Sequence, residues 1–400
     1  AFSLNSYAFP VMECLTSVAR AVGRDIIPYA PNILRTCLHL INEVCNVYHR
    51  YETESYHDDN LPEPPSKDFV MCALDVIGGV MEGLEQDFST VTLLSPGNEE
   101  LQSVLVEQLL RCLCDNDSGE VRQSAFSLLG VLVSKCQCVT LFLSPAIAAI
   151  LSSSTLPTRE DTQTNLTINR LLNVPIPVAF VLQLCLLNME PKITTSYPLV
   201  ASNAIWSLGE MIITLDSSII SYCGPILANH ILLLLKETTN PSMAFQTAQI
   251  GWHDGTLVTL QQNIAISLGR IAMMCPHQIV DSNQSFLLTK ESLRGWFRTL
   301  KLVQYSSERD QAFYGVVAVL NQRPEVLLED TILIQDFVLA CSSWDRPPGL
   351  REVHEELRKI LLVIRVYGTD GQTENQVWRS LLSRMDSNTV HRVCNIFQLP

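Results

Sequence analysis

The sequence predicts an all-α chain, an α-solenoid in which helix pairs stack side by side. Three observations carry that expectation. Apolar residues recur at helical spacing through most of the 400 residues, while strand alternation and Asn-Gly hairpin turns are nearly absent. A short phrase repeats: SNAIWSLGE at 202–210, QNIAISLGR at 262–270 and QSAFSLLGV at 123–131. Gly79, Gly130, Gly209 and Gly269 mark equivalent places in successive segments, spaced 51, 79 and 60 residues apart. Internal repeats of this length are the signature of stacked architectures. Glycine in a helix interior costs about 1 kcal/mol against alanine, so its recurrence points to helices that approach closely.

Each element follows from local pattern. PVMECLTSVARAVG (10–23) is amphipathic and stops at glycine, and IIPYAPNILRTCLHLINEVCNVYHR (26–50) opens on prolines and runs on as a long helix. YETESYHDDNLPEPPSK (51–67) is a polar, acidic loop. DFVMCALDVIGGVMEGL (68–84) is the next helix, with Asp68 as the expected N-cap, and Asn98 caps the helix over 98–114. Residues 115–136 and the SPAIAAILSS stretch (144–153) continue the series. VAFVLQLCLLNM (178–189) and HILLLLK (230–236) are short or interrupted apolar runs, expected to be buried helices and below the roughly 18 residues of a membrane span. The expected organisation is one array over 1–400 of about seven helix pairs, with irregular inserts near 51–67, 152–177 and 243–257. The inserts at 152–177 and 243–257 account for much of the excess of the 79- and 60-residue spacings over the 40–47 residues of a HEAT repeat.

Apolar residues make up 47% of the chain, enough for a large core, and the net charge is −14. Residues 1–130 hold 19 Asp and Glu against 7 Lys and Arg, a net −12, which leaves −2 for the rest. An acidic field attracts basic partners and repels nucleic acid; the competing account is a solvated face that aids solubility. The 13 cysteines are odd in number and lie in apolar patterns, so a reducing compartment is expected rather than a disulfide framework. The sequence lacks a P-loop, a G-x-S-x-G elbow and H-E-x-x-H, and its eight histidines are dispersed. No catalysis, cofactor or metal is expected. The C-x-C pairs Cys112/Cys114 and Cys136/Cys138 have the wrong spacing for zinc. Asn165 and Asn283 fit glycosylation sequons that a reducing compartment leaves unused.

The informative constellation is a surface one. Met71, Asp75, Gly79 and Glu82 are spaced by four, four and three, and so share one helix face. Ser202, Trp206, Glu210 and Ile213 have the same spacing. A tryptophan beside carboxylates suits a peptide with apolar and basic side chains: the indole offers area and a cation–π face, the acids charge-assisted hydrogen bonds. The competing account of Trp206 is a core residue packed on the next helix.

Six runs, taken in order, resemble the C-terminal half of the transportins, which are karyopherin-β nuclear import receptors. They are FPVMECLTSVARAVG with IIPYAPNILRTC, KDFVMCALDVIGGVMEGL, EVRQSAFSLLGVLVSKC, SNAIWSLGEMII, QQNIAISLGRIAMMCP and RDQAFYGVVAVLNQRP. WRSLLSRMDSNTVHRVCNIFQLP resembles the family's terminal helix pair, and the chain opens on Ala1 in mid-pattern, so a piece of a longer protein lacking its N-terminal half is expected. The resemblance implies a HEAT superhelix whose concave face binds a disordered basic signal ending in a proline–tyrosine pair. It implies Ran in its GTP form as a partner, mainly through the missing half, together with nucleoporins, and shuttling between cytoplasm and nucleus. No membrane is implied. By the same resemblance, Trp206 receives the signal's upstream segment and Ile266 is its apolar partner. Met71, Asp75 and Glu82 form an apolar-plus-acidic cluster, Arg122 is a contact arginine, and Glu210 stands beside Trp206. Where the family has an acid after the glycine of the SLLG run, this chain has Val131. Another karyopherin such as an exportin, a HEAT scaffold of a multi-subunit enzyme and a metal or thiol enzyme are the alternatives.

Overall fold

The structure is a computed structural model that describes residues 8–54, 63–85, 87–88, 98–136, 171, 174–240, 255–280, 288–304, 306–328, 330–366 and 376–399. Every element among the described residues is a helix, and the fold is an α-solenoid. Contacts divide the chain into two compact units, Ala1–Asn188 with Leu199–Thr214 and Met189–Pro198 with Leu215–Pro400.

In the first unit, α1 (Ala8–Val22) stops at Gly23, whose φ of +56° is a left-handed value that glycine adopts without strain. A 3-10 turn (Gly23–Ile26) leads into α2 (Ala30–Glu54), which has Pro31 in its first turn. Residues 51–54, expected in a loop, extend this helix. Next come α3 (Asp68–Leu84), α4 (Glu99–Leu113), α5 (Gly119–Cys136) and α6 (Ile176–Asn188). The short α7 (Pro191–Ser196) belongs to the second unit, and α8 (Pro198–Ile212) returns to the first from Leu199 onward. Helix α3 packs between α1 and α5, while α2 packs on α3, α4 on α5, and α2 on α4. The result is two layers, α1–α3–α5 and α2–α4.

Glycines set the closeness of the first layer. A Cβ on Gly79 would lie 2.8 Å from the Thr16 carbonyl oxygen of α1, and one on Gly83 would strike the Ala19 carbonyl. Side chains of α8 then reach the α5 backbone. Asn203 Nδ2 donates to the Gln123 carbonyl at 3.0 Å, and the Ser207 hydroxyl donates to that of Phe126. Bonds one turn apart fix the rotation of α8 against α5. Around them Val76, Ile77, Val80, Phe126, Leu129 and Leu132 are buried.

The second unit holds α9 (Ser217–Thr238), α10 (Thr256–Met274), α11 (Pro276–Val280), α12 (Lys290–Leu300), α13 (Ser306–Gln322), α14 (Pro324–Leu328), α15 (Thr331–Cys341), α16 (Arg351–Val366), α17 (Gln376–Arg384) and α18 (Ser387–Ile396). Here α13 packs between α10 and α16, and α12 between α9 and α15. The Trp296 indole N–H donates across the layers to the Ala265 carbonyl at 3.1 Å. The short apolar run at 230–236 proves to be part of the 22-residue α9. Its Asp216 cap accepts from Ser218 N at 2.8 Å, and the helix continues through Pro225. By length and composition this described helix could cross a membrane, but half of its apolar window is buried and it packs on α10, α11 and α12.

Two caps differ from expectation. Asp68 is the first helical residue, and the cap position falls to Lys67, with the Ser66 hydroxyl accepting from Asp68 N at 3.2 Å. Asn98 does stand at the cap of α4, but its side chain accepts from Arg35 at 3.5 Å instead of from its own helix. The SPAIAAILSS stretch, both sequons and most of the inserts lie outside the described residues; Ile176–Pro177 begin α6, and Thr256–Leu257 begin α10.

Candidate functional site

The candidate site is built on α3, α5 and α8 of the first unit. On α3, Phe69, Val70, Ala73, Val76 and Ile77 are buried, whereas Asp75 is exposed and Met71 and Glu82 are half-buried. The α3 residues singled out by spacing therefore lie on a side that packing leaves open. Gly79 is the exception, since it serves the contact with α1.

The acids are not bare. Arg20 of α1 forms an ion pair with Glu82, half-exposed on both sides. Ser124 of α5 donates a hydrogen bond to the Asp75 carboxylate. Although Asp75 as a residue is solvent-exposed, its carboxyl lies close against protein. That desolvation raises its pKa above the ordinary 3.8, opposed by the Ser124 bond and Arg20 and reinforced by Glu82.

Trp206 stands on α8, half-buried. Its ring lies against Gly130 of α5: a Cβ placed there would collide with Cζ3, Cε3 and Cη2 of the indole. The ring packs on the neighbouring helix, as the core account of Trp206 expects, and part of the residue remains open to solvent. The glycine of the SLLG run has a physical meaning here, because it seats the aromatic ring of the next copy of the phrase.

Three other residues named from sequence lie inside. Glu210 is 6% exposed, Arg122 5% and Ile266 2%, and both charged residues already engage other protein groups. Glu210 is therefore not a surface acid beside Trp206. Val131 is buried too, so an acid there would have been costly. Trp206 lies in the first unit and Ile266 in the second. Sequence reasoning missed Arg20, Ser124 and the seating role of Gly130. Only the pairing of α1 with α3 and of α3 with α5, invisible along one helix, would have found the first two.

Among the described residues no group of three His, Cys, Asp or Glu could hold a metal ion. Of the C-x-C pairs, Cys138 lies outside the described residues, while Cys112 is hydrogen-bonded to Cys45 of α2 rather than paired with Cys114.

Comparison with known proteins gives the same direction. Transportin-1 of Mus musculus is 24% identical over 373 residues, covering 93% of this chain and 32% of that protein. Transportin-1 of Oryza sativa subsp. japonica is 25% identical over 388 residues, covering 96% and 34%. Over most of its length the chain is similar in sequence to these transportins. Importin subunit beta-2 of Schizosaccharomyces pombe is 26% identical, over 88% of this chain and 30% of that protein. The chain spans about a third of the length of the curated relatives it matches. No family model matches it. A crystal structure of importin beta aligns over 96% of this chain and 44% of that one at 14% identity and a TM-score of 0.34, too distant to bear on fold or function.

Proposed function

We propose that this chain is the cargo-binding part of a nuclear import receptor, and that the α3–α5–α8 layer of the first unit takes an extended, basic signal peptide. One observation carries the proposal: three successive helices of a single unit leave the exposed Asp75 and the half-buried Glu82 at one end and the half-buried Trp206 indole at the other. Packed helices lie roughly 8–10 Å apart, so α3 and α8, separated by α5, are about 20 Å apart. An extended peptide spans that distance with about six residues. Its Lys or Arg side chains meet Asp75 and Glu82, and an apolar or cationic side chain covers the indole. The ligand competes with Arg20 for Glu82, which favours guanidinium groups able to chelate a carboxylate.

The layer is, in this proposal, the concave face of the receptor. Binding is passive, without catalysis or cofactor. The chain shuttles between cytoplasm and nucleus with cargo aboard. Ran in its GTP form, engaged mainly outside this chain, and nucleoporins complete the set of partners. Met71 is the apolar floor beside Asp75. Arg122 and Glu210, both buried, hold α5 and α8 in place instead of touching cargo, and Ile266, buried in the second unit, is not part of the site.

The test is titration of a labelled basic signal peptide, with its upstream apolar segment, into wild type, Trp206→Ala and Asp75→Lys/Glu82→Lys at about 0.15 M salt, where charges more than about 8 Å apart are screened. Losing Trp206 should cost about 1–3 kcal/mol, roughly 5- to 150-fold in Kd, and the charge reversal should weaken binding further. Equal affinity in all three proteins, each still folded by circular dichroism, would remove the site and favour a HEAT scaffold that works through its loops.

A further inference from the structure

The thiol of Cys45 on α2 and that of Cys112 on α4 are hydrogen-bonded to one another. The register of the two helices makes this a fixed feature. Three residues before Cys45 and four before Cys112, Gln108 Nε2 donates to Asn42 Oδ1 at 3.4 Å. Beside the thiols, Arg111 Nη1 donates to Asn46 Oδ1 at 2.9 Å. Just beyond, Lys67 bridges Asp115 at 2.8 Å and lies 4.8 Å above the ring of Tyr48. The two contacts between α2 and α4 step along both helices in the same direction, and Cys45 and Cys112 are each one residue from the second of them.

The two sulfurs differ in environment. Cys45 is half-exposed, and Cys112 is 2% exposed. The hydrogen bond from Cys112 and the positive charges of Arg111 and Lys67 lower the Cys45 pKa against burial and Asp115, whereas the same bond and burial raise that of Cys112. Cys37, Cys185 and Cys114, each pushed up by burial to about 12, have no such neighbourhood among their causes. An accessible thiol with thiolate character, set beside a second thiol able to resolve it, is the arrangement that responds to peroxides.

We propose that Cys45 and Cys112 form a peroxide-responsive dithiol that closes into a disulfide between α2 and α4. The Cys45 thiolate attacks one peroxide oxygen; the S–O bond forms, the O–O bond breaks, and the second oxygen leaves as water after taking a proton. Cys45 sulfur is oxidised to the sulfenic acid and the peroxide is reduced. Cys112 sulfur then attacks Cys45 sulfur. The S–S bond forms, the S–O bond breaks, and the hydroxide leaves with the Cys112 proton as a second water. A thiol reductant reverses the closure. The bond ties the second layer of the first unit without touching Trp206, Asp75 or Glu82, so this site is independent of the cargo proposal.

The experiment exposes the whole chain to dilute hydrogen peroxide and maps its peptides without reduction. A Cys45–Cys112 linked peptide is expected, with a loss of two free thiols per chain that dithiothreitol restores. In Cys112→Ser, the linked peptide disappears and dimedone labels Cys45; in Cys45→Ser, dimedone does not label Cys112. Oxidation that falls first on the exposed Cys14, or Cys45 over-oxidised in wild type with no linked peptide, would overturn the proposal.

Discussion

At the scale of single residues, Asp75, proposed above to meet cargo, is held at the expense of stability. Its carboxyl is raised above 3.8 by desolvation, so the folded chain holds that proton more tightly than the unfolded one does. Folding then takes up a proton as the pH falls through the folded value, and the destabilisation from the ionised group is complete at neutral pH. Asp75→Asn should therefore raise the urea midpoint at neutral pH, and the gain should shrink as the pH approaches 3.8. A gain that stays constant with pH would mean that packing, not ionisation, is responsible. The same substitution removes a carboxylate that the proposed ligand needs. Opposite effects on stability and on peptide affinity are the usual mark of a functional position.

At the scale of elements, the repeated glycines serve two different contacts. Gly269 of α10 faces backbone, since a Cβ there would strike Cα of Ala312 and lie 2.8 Å from its oxygen, and Gly315 of the same partner helix meets the Gly269 backbone in return. At Gly130 the three atoms nearest an added Cβ all belong to the ring of Trp206. A ring can swing aside, whereas a helix backbone must move as a whole. Gly130→Ala should cost about 1–3 kcal/mol, the usual range for overpacking, with a red shift of tryptophan fluorescence as the indole is expelled. Gly269→Ala should cost at least as much as the top of that range, with no such shift. Urea midpoints in the reverse order would remove the distinction. Most elements were legible in the sequence because the period of apolar residues is imposed by burial on one side. What was not legible concerned neighbours. Nothing within HILLLLK announces that Asp216 caps a helix running through Pro225 into that stretch, and nothing in the 98–114 pattern announces that Arg35 diverts the Asn98 side chain.

At the scale of the whole molecule, the candidate site was half legible for the same reason. Spacing identifies a helix face, and on α3 the face holding Met71, Asp75 and Glu82 is indeed the open one. On α8 identical spacing marked Glu210, which the fold covers, and on α10 the Trp206 slot holds a buried Ile266. Only the order in which helices stack decides which face is covered. The charge distribution needs no such knowledge: a net −12 in the first 130 residues steers basic ligands toward the unit that carries the proposed site. The association rate of a basic peptide should fall about tenfold as salt rises from low to physiological strength, measured by stopped flow. A rate insensitive to salt would mean the acidity is only a solvated surface.

The two kinds of glycine contact also differ as mechanical joints. Backbone pressed on backbone at Gly269, Ala312 and Gly315 behaves as a riveted seam, which cannot slide without opening a void. The indole on Gly130 behaves as a padded seam, since two side-chain torsions can absorb a shift of α8 along α5. The compliant joint of the first unit is thus the residue proposed to touch cargo. Whatever presses on the outer face of that ring loads the joint directly, and reports through it how far apart the two helices stand.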